Sequence, residues 1–257
     1  MNIEGSTALV TGGAGGIGRR FAETLIARGA AKVYAVDLPA SDFGFISGLG
    51  SGVVSLKGDV TQEADAARLA GECPDVSLLI NSAGIFALAG LIAAKDLIAA
   101  RREMEVNLWG SLIMCRAFAP VLGGNGAGTS GSAIMNILSE AARVCVPFAG
   151  SYCVSKAAAW NMTQGVRAEL AGQGTHVLAV FPATTDTPMT EMLDMDMLDP
   201  TYVANAALDA LEQGLEDISI GEHALHMEQL MQSDYKALEK ESAEILPGAT
   251  AVSEIRD

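Results

Sequence analysis

Short apolar runs rich in β-branched residues recur along this chain, separated by stretches with helical patterning. The runs predict strands at Thr7–Thr11, Lys32–Asp37, Val53–Lys57, Ser77–Asn81, Ser132–Leu138, His176–Phe181 and Ile218–Ile220. The stretches between them predict helices at Gly16–Arg28, Gln62–Glu72, Ala100–Leu122, Ser151–Ala171, Pro200–Gly214 and Met227–Glu244. Strands that are apolar at nearly every position, each followed by a helix, fit a parallel sheet covered on both faces. One α/β domain over residues 1–246 is expected, with Pro247–Asp257 as a loose tail. The Gly- and Ser-rich segment Gly123–Ser132 precedes a strand, not a helix, and reads as a connector. No internal repeat is present.

Composition removes several classes of function. A net charge of −15 repels phosphate backbones, so no nucleic-acid partner is expected. The apolar runs are broken short of spanning length and no basic leader opens the chain, which gives no membrane segment and a cytoplasmic default. Cys73, Cys115, Cys145 and Cys153 lack Cys-x-x-Cys spacing and read as buried small hydrophobes. His223 and His226 have no third ligand nearby, so they read as solvated helix residues and no metal is expected.

Candidate chemistry begins at Thr11-Gly12-Gly13-Ala14-Gly15-Gly16-Ile17-Gly18, between the first strand and the first helix. Glycines there let the backbone turn sharply and approach a pyrophosphate, and the helix N-terminus offers unpaired N–H groups. Nineteen residues after Gly18, Asp37 ends the second strand, where its carboxylate can accept from an adenosine ribose. The same charge repels a 2′-phosphate by about 1 kcal/mol in water and about 4 kcal/mol at an effective dielectric near 20. Leu38 and Pro39 follow with no cation, so NAD is expected over NADP. The alternative for Asp37 is a turn residue before Pro39.

The second constellation is Ser139, Tyr152 and Lys156. Tyr152 and Lys156 are four apart, one helical turn, which puts phenol and ammonium on one face. Ser139 follows a predicted strand thirteen residues upstream of Tyr152. A strand ending in a hydroxyl, a loop, and a helix with Tyr and Lys can converge on one reacting oxygen. Alone, such a Tyr–Lys pair is more often a surface feature; beside a dinucleotide motif it becomes an acid–base group.

Together these residues resemble the short-chain dehydrogenase/reductase family over nearly the whole chain, with its Rossmann fold of seven mostly parallel strands. Thr-Gly-x-x-x-Gly-Ile-Gly matches at residues 11–18, and Asp59-Val60 matches the pair that contacts adenine. Asn81-Ser82-Ala83-Gly84 resembles the Asn-Asn-Ala-Gly motif, and Asn107 matches the fourth catalytic position. Pro182 through Met189, with Thr185 and Thr187, resembles the stretch that holds the nicotinamide. Ser82, Ala183 and Leu138 depart from the family pattern, and Glu140 places a charge beside Ser139 that the pattern leaves without a role.

The resemblance implies hydride transfer between a nicotinamide and a substrate carbon, with Tyr152 handling the proton. It implies that Lys156 binds the ribose, Ser139 holds the substrate oxygen and Asn107 positions a relay water. Bringing a phenol from near 10 to near neutrality takes roughly 3–4 kcal/mol of preference for the phenolate, which Lys156 and the nicotinamide charge would supply. The segment Thr187–Leu198 carries Met189, Met192, Met195 and Met197. It corresponds to the family's substrate lid, though the methionines equally suit a core or a subunit contact. It holds no Arg or Lys, which favours a neutral, fairly apolar secondary alcohol or ketone. The family assembly is a homotetramer formed through the helices at Ala100–Leu122 and Ser151–Ala171, with a dimer as the alternative. A nucleotide-sugar epimerase needs a different glycine spacing, an NADP-preferring carbonyl reductase needs a cation near Asp37, and a non-catalytic NAD-binding sensor or scaffold has no use for all three of Ser139, Tyr152 and Lys156.

Overall fold

The structure, a computed structural model, describes residues 1–125 and 131–245. Seven strands form one sheet: β1 Thr7–Thr11, β2 Lys32–Asp37, β3 Val53–Lys57, β4 Leu78–Asn81, β5 Ser132–Ile137, β6 Thr175–Pro182 and β7 Asp217–Ile220. Their order is β3-β2-β1-β4-β5-β6-β7 and every neighbouring pair is parallel. The order reverses between β1 and β4, and a crevice opens there beyond the strands' carboxyl ends.

Strand alternation assigns the core to two layers. Val10, Ile80 and Met135 face one side, where they pack with Phe21 and Leu25 of α1 (Gly16–Ala27) and Leu208 of α6 (Pro200–Glu212). Leu9, Leu79 and Ile134 face the other, against Leu69 of α2 (Glu63–Glu72) and Met114 and Phe118 of α4 (Ser111–Asn125). Each fully buried side chain of this size contributes about 1.5–3 kcal/mol, so two such layers make a rigid platform for the loops at the sheet's edge.

Three expectations change. The helix expected at Ala100–Leu122 runs from α3 (Ile98–Glu103) through a π-helical turn at Met104–Gly110 into α4, and the π turn contains Asn107. Ile98–Asn125 is long and apolar enough to cross a membrane by length and composition, contrary to the sequence reading. Its face of Met114, Cys115, Phe118 and Leu122 is nevertheless packed on the sheet, as in a core helix. The last helix divides into α7 (Glu222–Ser233) and α8 (Tyr235–Ser242), because Asp234 leaves helical geometry and caps the backbone N–H of Ala237 at 3.0 Å. The remaining long helix, α5, spans Gly150–Leu170. The expected tail Pro247–Asp257 and residues 126–130, half of the connector Gly123–Ser132, lie outside the described residues, and the connector's first three residues end α4 instead.

Candidate active site

The turn between β1 and α1 is built on glycine. Gly12 and Gly16 adopt φ of 66° and 50°, where L side chains are strained. A Cβ on Gly18 would lie 2.2 Å from the Gly12 carbonyl oxygen, so the helix can pack this close only without one. No side chain caps α1 at Gly15, which leaves its first N–H groups for a ligand. A cleft of about 490 Å³ opens there, lined by Gly12, Gly15, Gly16, Ile17, Gly18, Asp37, Leu38, Asp59, Val60, Ala83 and Gly84. Open glycine backbone, an uncapped helix start and a carboxylate at the far end fit a dinucleotide.

Ala14 is beside the cleft, not in its lining: its N–H donates to Asp37 Oδ2 at 3.0 Å. Asp37 Oδ1 accepts from the Leu38 N–H and the Ser41 hydroxyl, both at 2.8 Å. Asp37 therefore orders the turn, as the alternative reading had it, while still facing the cleft. Sequence reading looked for a cation only at Leu38 and Pro39 and missed Lys57. That residue pairs with Asp37 across β2 and β3, and its ammonium donates to the Ser41 carbonyl at 2.6 Å. Asp59 faces inward to its own turn, accepting from the Thr61 N–H and hydroxyl at 2.9 and 2.8 Å.

Asn81 does not reach the cleft. Its amide donates to Asn136 Oδ1 at 2.8 Å in a buried network that continues to Thr163. Thr11, which the sequence did not single out, has the more direct part: its hydroxyl accepts from the N–H groups of Ser82 and Ala83, both at 3.1 Å, joining the glycine turn to the loop after β4. Asn107 clamps the same loop. Its Oδ1 accepts from the Ile85 N–H at 2.9 Å, and its amide donates to the Ile85 carbonyl at 3.0 Å and Ser155 Oγ at 2.9 Å. The π turn aims this side chain; π turns commonly mark functional sites. The held loop presents Phe86 edge-on to Tyr152, centroids 4.9 Å apart.

Ser139, Tyr152 and Lys156 do converge. Ser139 leaves β5 in extended conformation, and its Oγ accepts from the Ala141 N–H at 3.1 Å beside the Tyr152 hydroxyl. One turn along α5, the Lys156 ammonium donates to the Ile137 carbonyl at 2.9 Å and stands 5.7 Å from the Tyr152 ring centroid. Burial pushes the Tyr152 phenol well above its ordinary value, with Ser139 pulling the other way. Burial likewise brings Lys156 down to about 8, opposed by the charge of buried Glu103. The low phenol value expected from the sequence is therefore absent from the protein alone; it requires a positive charge brought in by a ligand.

On the far side of Tyr152 lies a second cavity of about 710 Å³. Its wall is mostly apolar, with Phe86, Leu138, Val146, Phe148, Met189, Met195 and Met227, and it also takes in Ser139, Glu140, Pro182, Thr185 and His223. Tyr152, Leu138, Thr187 and Met189 line both cavities. The 187–197 segment is tied at its base, where Leu198 N–H donates to Thr184 and Asp186 N–H to Leu198, both at 2.9 Å. Two histidine and cysteine readings need correction. Cys145 is exposed, unlike the other three cysteines, and His223 does not merely face water but bonds Glu140 through Nδ1 at 2.9 Å.

Comparison with known proteins agrees with this geometry. The family model described as short chain dehydrogenase matches residues 6–197. A sorbitol dehydrogenase of Cereibacter sphaeroides is 32% identical over 204 residues, 77% of this chain and 78% of that protein. An NAD-dependent glycerol dehydrogenase of Listeria innocua serovar 6a is 32% identical over 196 residues, 74% of each. The crystal structure of a short chain dehydrogenase from Burkholderia cenocepacia J2315 in complex with NADP is 39% identical and superimposes with a TM-score of 0.87, covering 96% of this chain and 100% of that one.

Proposed function

The chain belongs to the short-chain dehydrogenase family, and from that premise we propose an NAD-dependent oxidoreductase that interconverts a small secondary alcohol and its ketone, with Tyr152 as acid and base. The observation that carries this reading is the position of Tyr152, whose side chain lines both the glycine cleft and the apolar cavity. When bound, the nicotinamide takes or gives the hydride. Ser139 holds the substrate oxygen, Tyr152 exchanges its proton, and Lys156 stabilises the phenolate and reaches the ribose. Asn107 holds the loop after β4 at Ile85 and Thr11 holds it at Ser82 and Ala83, against the cofactor, while Asn81 acts from behind through its buried network. Pro182, Thr185 and Thr187 close the nicotinamide end, and Asp59 and Val60 take the adenine. The sugar-alcohol and glycerol dehydrogenases among its relatives support a small polar-headed alcohol.

Cofactor choice rests on Asp37, with the NADP-bound relative and the nearby Lys57 pulling the other way. The expected result is oxidation of secondary alcohols and polyols, followed by NADH absorbance, with kcat/KM for NAD at least about fivefold above that for NADP, given about 1–4 kcal/mol of repulsion. Asp37→Ser should bring the two within a few-fold. Turnover of no alcohol or ketone in such a panel rejects the activity, and an NADP preference in the wild type rejects the role of Asp37.

Assembly as a homotetramer, or failing that a dimer, fits the half-exposed Trp109 and Val154 on the long helices. Light scattering behind size-exclusion chromatography should give four copies; a monomer at micromolar concentration rejects both.

A further inference from the structure

Glu140 is 8% exposed in a cavity whose other walls are largely apolar, immediately after Ser139. A carboxylate is costly in such a place unless it is paired. Its Oε2 is bonded by His223 Nδ1 at 2.9 Å, and His223 stands in the first turn of α7 at the solvent-facing rim. The other oxygen, Oε1, takes no hydrogen bond from any described residue. A role as a clamp between α7 and the turn after β5 is already filled, because Val144, Met227 and Leu238 join the same elements through an apolar cluster.

We propose that Glu140, oriented by His223, recognises a second hydroxyl on the carbon next to the one oxidised. The substrate would then be a vicinal diol with an apolar remainder, or in the reverse direction an α-hydroxyketone. The inference rests on the alcohol dehydrogenase reading above and adds to it which alcohol is chosen. Ser139 and Glu140 follow one another in the chain and line the same cavity, so one small substrate can meet both. The His223 bond leaves Oε1 to accept from that hydroxyl, a charge-assisted bond of the stronger kind. The apolar wall of Val146, Phe148 and Met227 takes the carbon chain.

The test compares 2,3-hexanediol with 2-hexanol and 3-hexanol as substrates with NAD, in wild type, Glu140→Leu, Glu140→Gln and His223→Leu. The wild type should favour the diol in kcat/KM by at least about tenfold, since a hydrogen bond to a charged group separates analogues by that much or more. In Glu140→Leu the diol should lose at least about tenfold more than the monoalcohols, with part of the difference restored in Glu140→Gln. A wild type that oxidises all three alcohols equally overturns this inference and leaves the dehydrogenase reading intact, whereas a wild type that oxidises none fails the earlier reading. A parallel loss on all substrates in Glu140→Leu, with a fall in Tm, assigns the pair to structure and overturns the proposal. Should Glu140→Leu not fold, His223→Leu decides: an unchanged diol preference there overturns it.

Discussion

Tyr152→Phe should lower turnover by roughly 10³-fold while leaving the fold intact, because positioned proton transfer typically contributes about 10²–10⁴. Phe has the same ring, so the edge contact with Phe86 at 4.9 Å persists. Only the hydroxyl beside Ser139 is lost. Tm should therefore move little, and NADH binding, followed by fluorescence, should stay within a few-fold. The pH profile adds a sign. Burial keeps Tyr152 protonated through the neutral range, and oxidation of an alcohol needs the phenolate. The oxidation rate should accordingly climb with pH through the neutral range while the reduction rate stays flat there, and Tyr152→Phe should lose the oxidation slope with its residual activity. A variant retaining full turnover places the proton transfer elsewhere.

Lys156→Met should abolish most turnover and at the same time stabilise the ligand-free protein. Lys156 is 6% exposed, and its folded value is brought from 10.5 down to about 8, first by burial. A lowered ammonium value means that folding disfavours the charged form. The penalty is fully present below pH 8, and it is relieved as pH rises from 8 to 10.5. At neutral pH it is on the order of 3 kcal/mol, against about 1 kcal/mol for the lost bond to the Ile137 carbonyl. The net gain of about 2 kcal/mol corresponds to roughly 4–8 °C in Tm for a domain of this size. The gain should shrink steadily between pH 8 and 10, and calorimetry of both proteins across that range checks it. A fall in Tm would mean that the ammonium is better solvated in its pocket than its burial indicates.

The sheet was legible in the sequence because its central strands are apolar on both faces, and all seven start within one residue of where the pattern places them. The exception in kind was not a strand. The π turn at Met104–Gly110 leaves no mark in the apolar pattern, since one extra residue per turn only rotates a helix that is apolar on most sides. The break at Asp234 was visible in principle, as an acidic cap three residues before Ala237, but helical patterning continues through it. In the site, Ser139, Tyr152 and Lys156 were legible because strand, loop and helix spacing fix their meeting. Thr11, Lys57 and the Glu140–His223 pair were not. Each acts across a sequence gap whose geometry the topology alone decides, 83 residues in the case of Glu140 and His223.

The match to the family model ends at residue 197, while α7 begins at Glu222. The cavity beyond Tyr152 is therefore walled by two stretches, one inside that match and one after it. Phe86, Ser139 and Tyr152 lie within the matched stretch, and His223 and Met227 lie after it. The sheet order puts that later part at the outer edge, where β7 borders only β6. Drift in α7 can thus rewrite which molecules are accepted without disturbing the machinery that moves the hydride, and a graft of α7 from a relative is the natural unit for altering substrate choice while keeping the chemistry.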